Sequence, residues 1–172
     1  MVQKKGAYTV ITGASSGIGD ETAKAFAARG RNLVVAARRQ DNLEALKKDI
    51  LSNNPALDVV VRATDLSVME NVYQLYESLK EYPLDTWINN AGFGNYDSVA
   101  HQDLRKIESM LHLNVEALTI LSSLFVRDYK DTEGTQLINI SSCGGYTIVP
   151  TAVTYCAAKF YVSTFTEGLA RE

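Results

Sequence analysis

Two cysteines in 172 residues, Cys143 and Cys156, are too few for a zinc cluster and show no CxxC spacing. Reduced thiols and a cytoplasmic setting are the expectation. Basic charge is not in excess either. Seventeen lysines and arginines against 20 aspartates and glutamates leave a formal charge of −3, which argues against generic nucleic-acid binding. The longest apolar stretches are interrupted by Asn114, Glu116 and paired serines, so no membrane partner is expected. The start, Met1 to Gly6, runs into a strand-like segment with no apolar h-region, and no secretory leader is expected. Repeats and low-complexity segments are missing. What remains, 46% apolar and 22% charged residues, suits one domain that buries a sizeable core, and excludes a disordered chain.

Short β-branched runs alternate with longer amphipathic stretches. Strands are expected at Tyr8–Thr12, Asn32–Ala37, 58–63, 86–89 and 136–140. Helical periodicity covers 18–29, 41–52, 68–81 and 103–128, with a last helix from about 154 onward. Runs of Val and Ile without polar alternation suit a parallel sheet covered on both faces. The fold class is therefore α/β, a Rossmann-like doubly wound parallel sheet with right-handed crossovers. Arg29-Gly30 should end the first helix, and Ser67 with Glu70 has the capping-box spacing at the start of the third. Such folds usually have six strands, and only five are visible here. The expectation is a sheet truncated after the last helix, in a chain that belongs to something longer.

Thr12-Gly13-Ala14-Ser15-Ser16-Gly17-Ile18-Gly19 follows the first strand and opens the first helix. Glycines there let backbone N–H groups and a helix N-terminus face a pyrophosphate, although three glycines can also make a plain tight turn. The spacing is GxxxGxG, not the commoner GxGxxG. Adenosine selectivity is read at the end of the second strand, where a carboxylate would bind the ribose 2′-OH of NAD. This chain has Ala36-Ala37-Arg38-Arg39 instead. A guanidinium suits a 2′-phosphate, so NADP(H) is the expected cofactor, with Arg38 the first choice of ligand and Arg39 the second.

Tyr155 and Lys159 stand at i and i+4, on one helix face. Ser142 follows the fifth strand, at the end where α/β sheets bind ligands. Asn114 sits on an apolar stripe through Leu104, Ile107, Leu111, Leu118 and Phe125, where a buried amide needs partners. It either serves the chemistry or satisfies local backbone.

With Asn89-Asn90-Ala91-Gly92 added, these motifs resemble the short-chain dehydrogenase/reductase family, in the family's order and across nearly the whole chain. The resemblance implies that Tyr155 is the general acid/base, that Ser142 binds the substrate oxygen, and that Lys159 holds the nicotinamide ribose and acidifies the phenol. It implies that Asn114 anchors a water relaying protons through Lys159. Gly13, Ser15, Ser16, Gly17, Ile18 and Gly19 would line the phosphates and Asp65 the adenine. Asn89, Ala91 and Gly92 would support the sheet and flank the cofactor. A free phenol titrates near ~10. An ammonium ~4 Å away at an effective dielectric near ~20 is worth about 4 kcal/mol, enough to bring a phenol towards neutrality. In bulk water the effect is under about one pH unit, so the pair must be partly buried.

The function expected is hydride transfer between NADP(H) and a small-molecule carbonyl or alcohol. A non-catalytic NADP(H)-binding module and an inactive fragment remain as alternatives. Cys143 and Cys156 read as packing residues, and His101 and His112 lack a ligand cluster. Phe93, Tyr96 and Tyr146 either line an apolar substrate pocket or simply pack. The stripe ending in Leu121, Leu124 and Phe125, together with the Tyr/Lys helix, suggests a homodimer or homotetramer, as the resemblance implies.

Overall fold

The computed structural model describes residues 6–172, so the expectation for residues 1–5 lies outside the described residues. Five parallel strands form one sheet: β1 Tyr8–Thr12, β2 Asn32–Ala37, β3 Val59–Ala63, β4 Leu84–Asn89 and β5 Gln136–Asn139. Their order is β3-β2-β1-β4-β5. The chain steps outward from β1 to β3, returns to the other side of β1, and continues to β5. The two halves diverge at the carboxyl ends of β1 and β4, the topological switch point where α/β sheets hold ligands.

Successive strand residues face opposite layers. Val10, Val34 and Trp87 pack with α3 (Met69–Glu77) and α5 (Leu118–Tyr129), while Ile11, Leu33, Val35 and Ile88 pack with α1 (Gly17–Ala28) and α2 (Gln40–Asn53). Covering both faces is what makes these strands read as unbroken apolar runs. The switch from helix to strand after α1 falls where expected: Gly30 takes φ +77° and donates to the Ala27 carbonyl.

Two local expectations are corrected. Ser67 does not cap α3; its hydroxyl and its N–H both donate to Asp65 Oδ1, and Val68 occupies the N-cap position. A short acceptor two residues upstream wins over the helix's own N–H groups, forming a turn typical of Asp. The expected helix 103–128 is interrupted by a π segment, His112–Ala117, between α4 (Leu104–Leu111) and α5. A π turn has i→i+5 bonds and holds about one residue more than an α turn. The side chain in phase with Asn114 one turn earlier is thus Met110, which is buried, whereas Leu104 and Leu111 are exposed. Downstream, Leu121 and Phe125 are buried in the core against Trp87, so they are not available to a partner. The stretch Leu104–Tyr129, 26 residues, contains an 18-residue window of mean hydropathy 1.4 and so meets the length and apolarity of a membrane span. Within that window 39% of the residues are buried, Leu118, Leu121 and Phe125 among them.

Polar contacts tie the layers together. Trp87 Nε1 donates to Asn89 Oδ1 (2.8 Å), and Asn89 Nδ2 donates to Ser122 Oγ (3.0 Å) and Asn139 Oδ1 (2.9 Å). Asn139 Nδ2 continues to Thr166 Oγ1 (3.0 Å) on α6 (Val153–Leu169). At the opposite end of the sheet Arg31 pairs with Asp85, both buried, with Thr9 beside the guanidinium. Breaking one side of such a pair leaves an uncompensated buried charge. Asp85→Ala should lower the unfolding free energy in urea by about 3–5 kcal/mol. The double variant Arg31→Met with Asp85→Leu should recover most of that loss, and equal losses in both would contradict the account.

Candidate active site

Thr12, at the end of β1, and Asn90, just past β4, hold the switch point open. Thr12 Oγ1 accepts from the N–H groups of Asn90 and Ala91 (3.1 Å each), and Asn90 Nδ2 donates to the carbonyls of Thr12 (3.0 Å) and Gly13 (3.3 Å). The approach is close enough to require glycine. A Cβ on Gly13 would lie 2.7 Å from Ala91 Cα, and one on Gly19 would lie 2.4 Å from the Gly13 carbonyl oxygen. Gly17 is different: at φ +59° its missing Cβ meets nothing within 4 Å, so open space faces the start of α1. No side chain caps that helix. Unshielded N–H groups of a first turn are suited to an anion.

A cleft runs across this point as two adjoining cavities that share Gly13, Ser16, Ala91, Gly92 and Phe93. One, of about 180 Å³, also reaches Ser15, Arg38, Arg39 and Asp65. The other, of about 240 Å³, reaches Ile18, Asn90, Ser141, Tyr155 and Lys159. Most of the expected site residues therefore border one cleft. Arg39 lies against the glycine turn, with its guanidinium donating to Ser16 Oγ (2.6 Å), Ser15 Oγ (3.1 Å) and the Ser15 carbonyl (3.3 Å). Arg38 is exposed and enters no hydrogen bond or ion pair among the described residues. Asp65 uses Oδ1 on Ser67 and still borders the cleft.

Asn89 does not border it. Its side chain is committed beneath the sheet to Trp87, Ser122 and Asn139, and its carbonyl accepts from Ile140 N. The expectation that Asn89 flanks a cofactor is corrected. Asn90, one residue on, faces the cleft instead, because successive residues of an extended chain point to opposite sides.

Tyr155 and Lys159 do share one face of α6. Lys159 is buried, its Nζ donating to the Ile140 carbonyl (2.9 Å) and standing 5.9 Å from the centre of the Tyr155 ring. Burial lowers its pKa from the ordinary value. Ser142 Oγ accepts from Gly144 N (3.1 Å). A Cβ on Gly144 would lie 3.5 Å from Tyr155 Cε1 and 3.6 Å from Ser142 Oγ, so this glycine lets the hydroxyl and the phenol ring come together. Cys156 packs against the same glycine and Cys143 is exposed. Ser141, which the sequence reading passed over, bonds to the Lys159 carbonyl (3.1 Å) and to Ser163 (2.7 Å), pinning the segment after β5 to α6.

Asn114 is fully buried in the π segment. Its amide donates to the Phe93 carbonyl (2.9 Å) and accepts from Phe93 N (3.1 Å). Both groups are thus used to brace the segment after β4. A Cβ on Gly92 would lie 2.9 Å from Asn114 Oδ1 and 3.7 Å from Lys159 Nζ.

A parallel sheet with an open, glycine-lined switch point, and a Tyr/Lys helix along one wall, defines a dinucleotide-binding domain of oxidoreductase type. The short chain dehydrogenase profile matches residues 7–172, and the chain belongs to that family. It is 30% identical over 173 residues to a 7beta-hydroxysteroid dehydrogenase of Clostridium sardiniense, covering 99% of this chain and 65% of the relative. A short-chain dehydrogenase from Sphingobium yanoikuyae, solved with NADPH, superposes with a TM-score of 0.89 at 30% identity, over 95% of this chain and 64% of that one. A bulky-bulky ketone specific alcohol dehydrogenase from Comamonas testosteroni gives a TM-score of 0.89 at 29% identity, over 95% and 66%. The chain spans about two thirds of the length of these relatives.

Lys159 offers a direct test of burial at the site. Because its folded pKa is lowered, the unfolded chain holds more protons between that value and the ordinary 10.5. Wild-type stability should therefore rise across this window relative to Lys159→Met. Urea unfolding from neutral pH to pH ~10.5 reads it; a flat or falling difference would contradict the buried ammonium.

Proposed function

We propose that the protein is an NADP(H)-dependent oxidoreductase that interconverts a small-molecule carbonyl and its alcohol. The observation that carries this reading is that Tyr155 and Lys159 line one end of the cleft, with Ser142 Oγ beside the Tyr155 ring across Gly144, while Arg38 and Arg39 line the other end. When bound, NADP(H) supplies or accepts the hydride at its nicotinamide ring. Tyr155 gives its phenolic proton to the carbonyl oxygen in reduction and takes it back from the alcohol in oxidation. Ser142 donates a hydrogen bond to the same oxygen. Lys159, held at the Ile140 carbonyl, binds the ribose and favours the phenolate by its charge. Asn114 keeps Phe93 and Gly92 in place beside Lys159, which supports a role in the proton path. Gly13, Ser15, Ser16, Gly17, Ile18 and Gly19 cradle the phosphates, Asp65 borders the adenine, and Ala91 and Gly92 floor the cleft.

The two arginines divide the phosphate end. Arg39 is occupied with Ser15 and Ser16 and shapes the turn; Arg38 is the ligand of the 2′-phosphate. The NADPH complex of the Sphingobium relative and the NADP complex of a metagenomic short-chain oxidoreductase support this cofactor. A soluble homodimer or homotetramer is part of the reading. Its contact would use Leu104, Leu111, Phe160 and Tyr161, four of the exposed apolar residues of α4 and α6. The free thiols suit a reducing, cytoplasmic compartment.

Tyr155→Phe should cut turnover by roughly 10²–10⁴-fold while NADPH affinity stays within about twofold. Retained turnover would remove Tyr155 from the chemistry. Arg38→Ala should weaken NADPH roughly tenfold or more and leave NADH unchanged, as loss of a charge-assisted hydrogen bond requires. Arg39→Ala should weaken both by similar factors. Fluorescence titration reads each dissociation constant, and unchanged NADPH selectivity in Arg38→Ala would reassign the phosphate.

A further inference from the structure

Between β4 and α4 the chain runs from Asn90 to Asp103 without a regular helix or strand, yet one side chain on it reaches the reaction end of the cleft. Tyr96 packs its ring against that of Tyr155, with centroids 5.8 Å apart and planes tilted by 53°. This is a favourable separation for an aromatic pair. The rest of the ring is open, since Tyr96 is 68% exposed.

Two devices hold this ring where it is. Gly94 gives it a seat: a Cβ there would lie 2.5 Å from the Tyr96 hydroxyl oxygen and from two of its ring carbons. Gln102, buried, donates to the Asp97 carbonyl (2.7 Å) and accepts from Thr154 Oγ1 (3.0 Å). Thr154 immediately precedes Tyr155, so the residue after Tyr96 and the residue before Tyr155 are tied through one amide. An exposed aromatic ring restrained in this way is a built surface.

The segment that carries the reaction end is uncharged, although exposed Asp97 follows Tyr96 and buried Lys159 stands 5.9 Å from the Tyr155 ring centre. Residues 141–158, which link β5 to α6 and carry Ser142 and Tyr155, contain no Asp, Glu, Lys, Arg or His. Tyr146, Ile148, Val149 and Val153 from this stretch are exposed. A substrate whose carbonyl oxygen meets Tyr155 and Ser142 would set its larger substituent beside an aromatic face and an apolar rim. An aryl ketone is flat through ring and carbonyl alike, so it can lie along Tyr96 while presenting its oxygen.

We propose that Tyr96 is a specificity-determining residue, a ring fixed against Tyr155 that selects carbonyl compounds bearing an uncharged aryl group beside the carbonyl. Gln102 is the positioning residue that keeps it there. The proposal rests on the oxidoreductase reading above and adds to it the class of substrate.

Acetophenone and cyclohexyl methyl ketone have the same number of heavy atoms in the same connectivity and differ in whether the ring is flat and aromatic. Initial rates of NADPH consumption give kcat/KM for each, and saturation-transfer NMR gives binding of each ketone independently of turnover. Wild type should prefer acetophenone by roughly three- to tenfold, the range of one aromatic contact. Tyr96→Phe should keep the preference. Tyr96→Ala should abolish it and lose the acetophenone NMR signal, with NADPH affinity unchanged. Gln102→Leu should weaken the preference through KM rather than kcat. Turnover of both ketones with no preference in wild type, or an unchanged preference in Tyr96→Ala, overturns the role of Tyr96 alone. An equal fall for both ketones in Tyr96→Ala also overturns it, since Tyr96 would then support Tyr155 and not the substrate. No turnover in wild type, with an acetophenone signal that depends on Tyr96, overturns the oxidoreductase reading and leaves the aryl-binding surface standing.

Discussion

The cleft exists because the chain parts between β1 and β4, and the Thr12–Asn90 contact sets how far. Strand pairing alone would bring the two strand ends to van der Waals contact and leave their loops free. Four hydrogen bonds between Thr12, Gly13, Asn90 and Ala91 instead lock the loops together at their base. Above that base Gly13 and Gly19 allow backbone to approach backbone, and Gly17 leaves room in front of α1. Larger side chains at Gly13 or Gly19 would push the turn away from Asn90, and the phosphate end and the reaction end would no longer share a floor.

The reaction end hangs on the least buried strand. β5 is an edge in this sheet, and its side chains are half-buried or exposed, so apolar packing contributes less to its position than it does for β1, β2 and β4. Directional contacts make up the difference. Asn139 joins β4 to α6, Ser141 holds the Lys159 carbonyl, and Lys159 holds the carbonyl of Ile140. Each bond fixes an angle as well as a distance. This suits the proposed chemistry, in which a phenol, a serine hydroxyl and an ammonium act together within hydrogen-bonding tolerances.

The strands and their order of appearance were readable because a sheet covered on both sides demands continuous apolar runs, and β1 and β2 match residue for residue. The cleft was readable from its glycines and from the Tyr/Lys spacing, which is fixed by helix geometry. What escaped depended on local competition or on a phase shift. Ser67 had a better acceptor in Asp65 than in the helix it precedes. One extra residue in the π turn moved the buried stripe from Leu111 to Met110, and hydrophobic periodicity does not reveal such a turn. Asn89 and Asn90 are the same residue type on opposite sides of the chain, so composition could not say which one faces the cleft. Arg38 and Arg39 pose the same problem, and only the contacts of Arg39 with Ser15 and Ser16 separate them. Gly94 and Gln102 carry no motif at all; their importance lies in contacts far apart in sequence or folded back over a single loop.

These contacts amount to one claim, that a single continuous cleft joins the arginine end to the tyrosine–lysine end and accepts one dinucleotide along its length. A crystal structure of the protein grown with NADPH tests it most directly. The account predicts the 2′-phosphate beside Arg38, the pyrophosphate at the start of α1, and the nicotinamide ribose within hydrogen-bond distance of Tyr155 and Lys159. Density for the dinucleotide outside the cleft, or in it with the nicotinamide beside the arginines, would contradict the account.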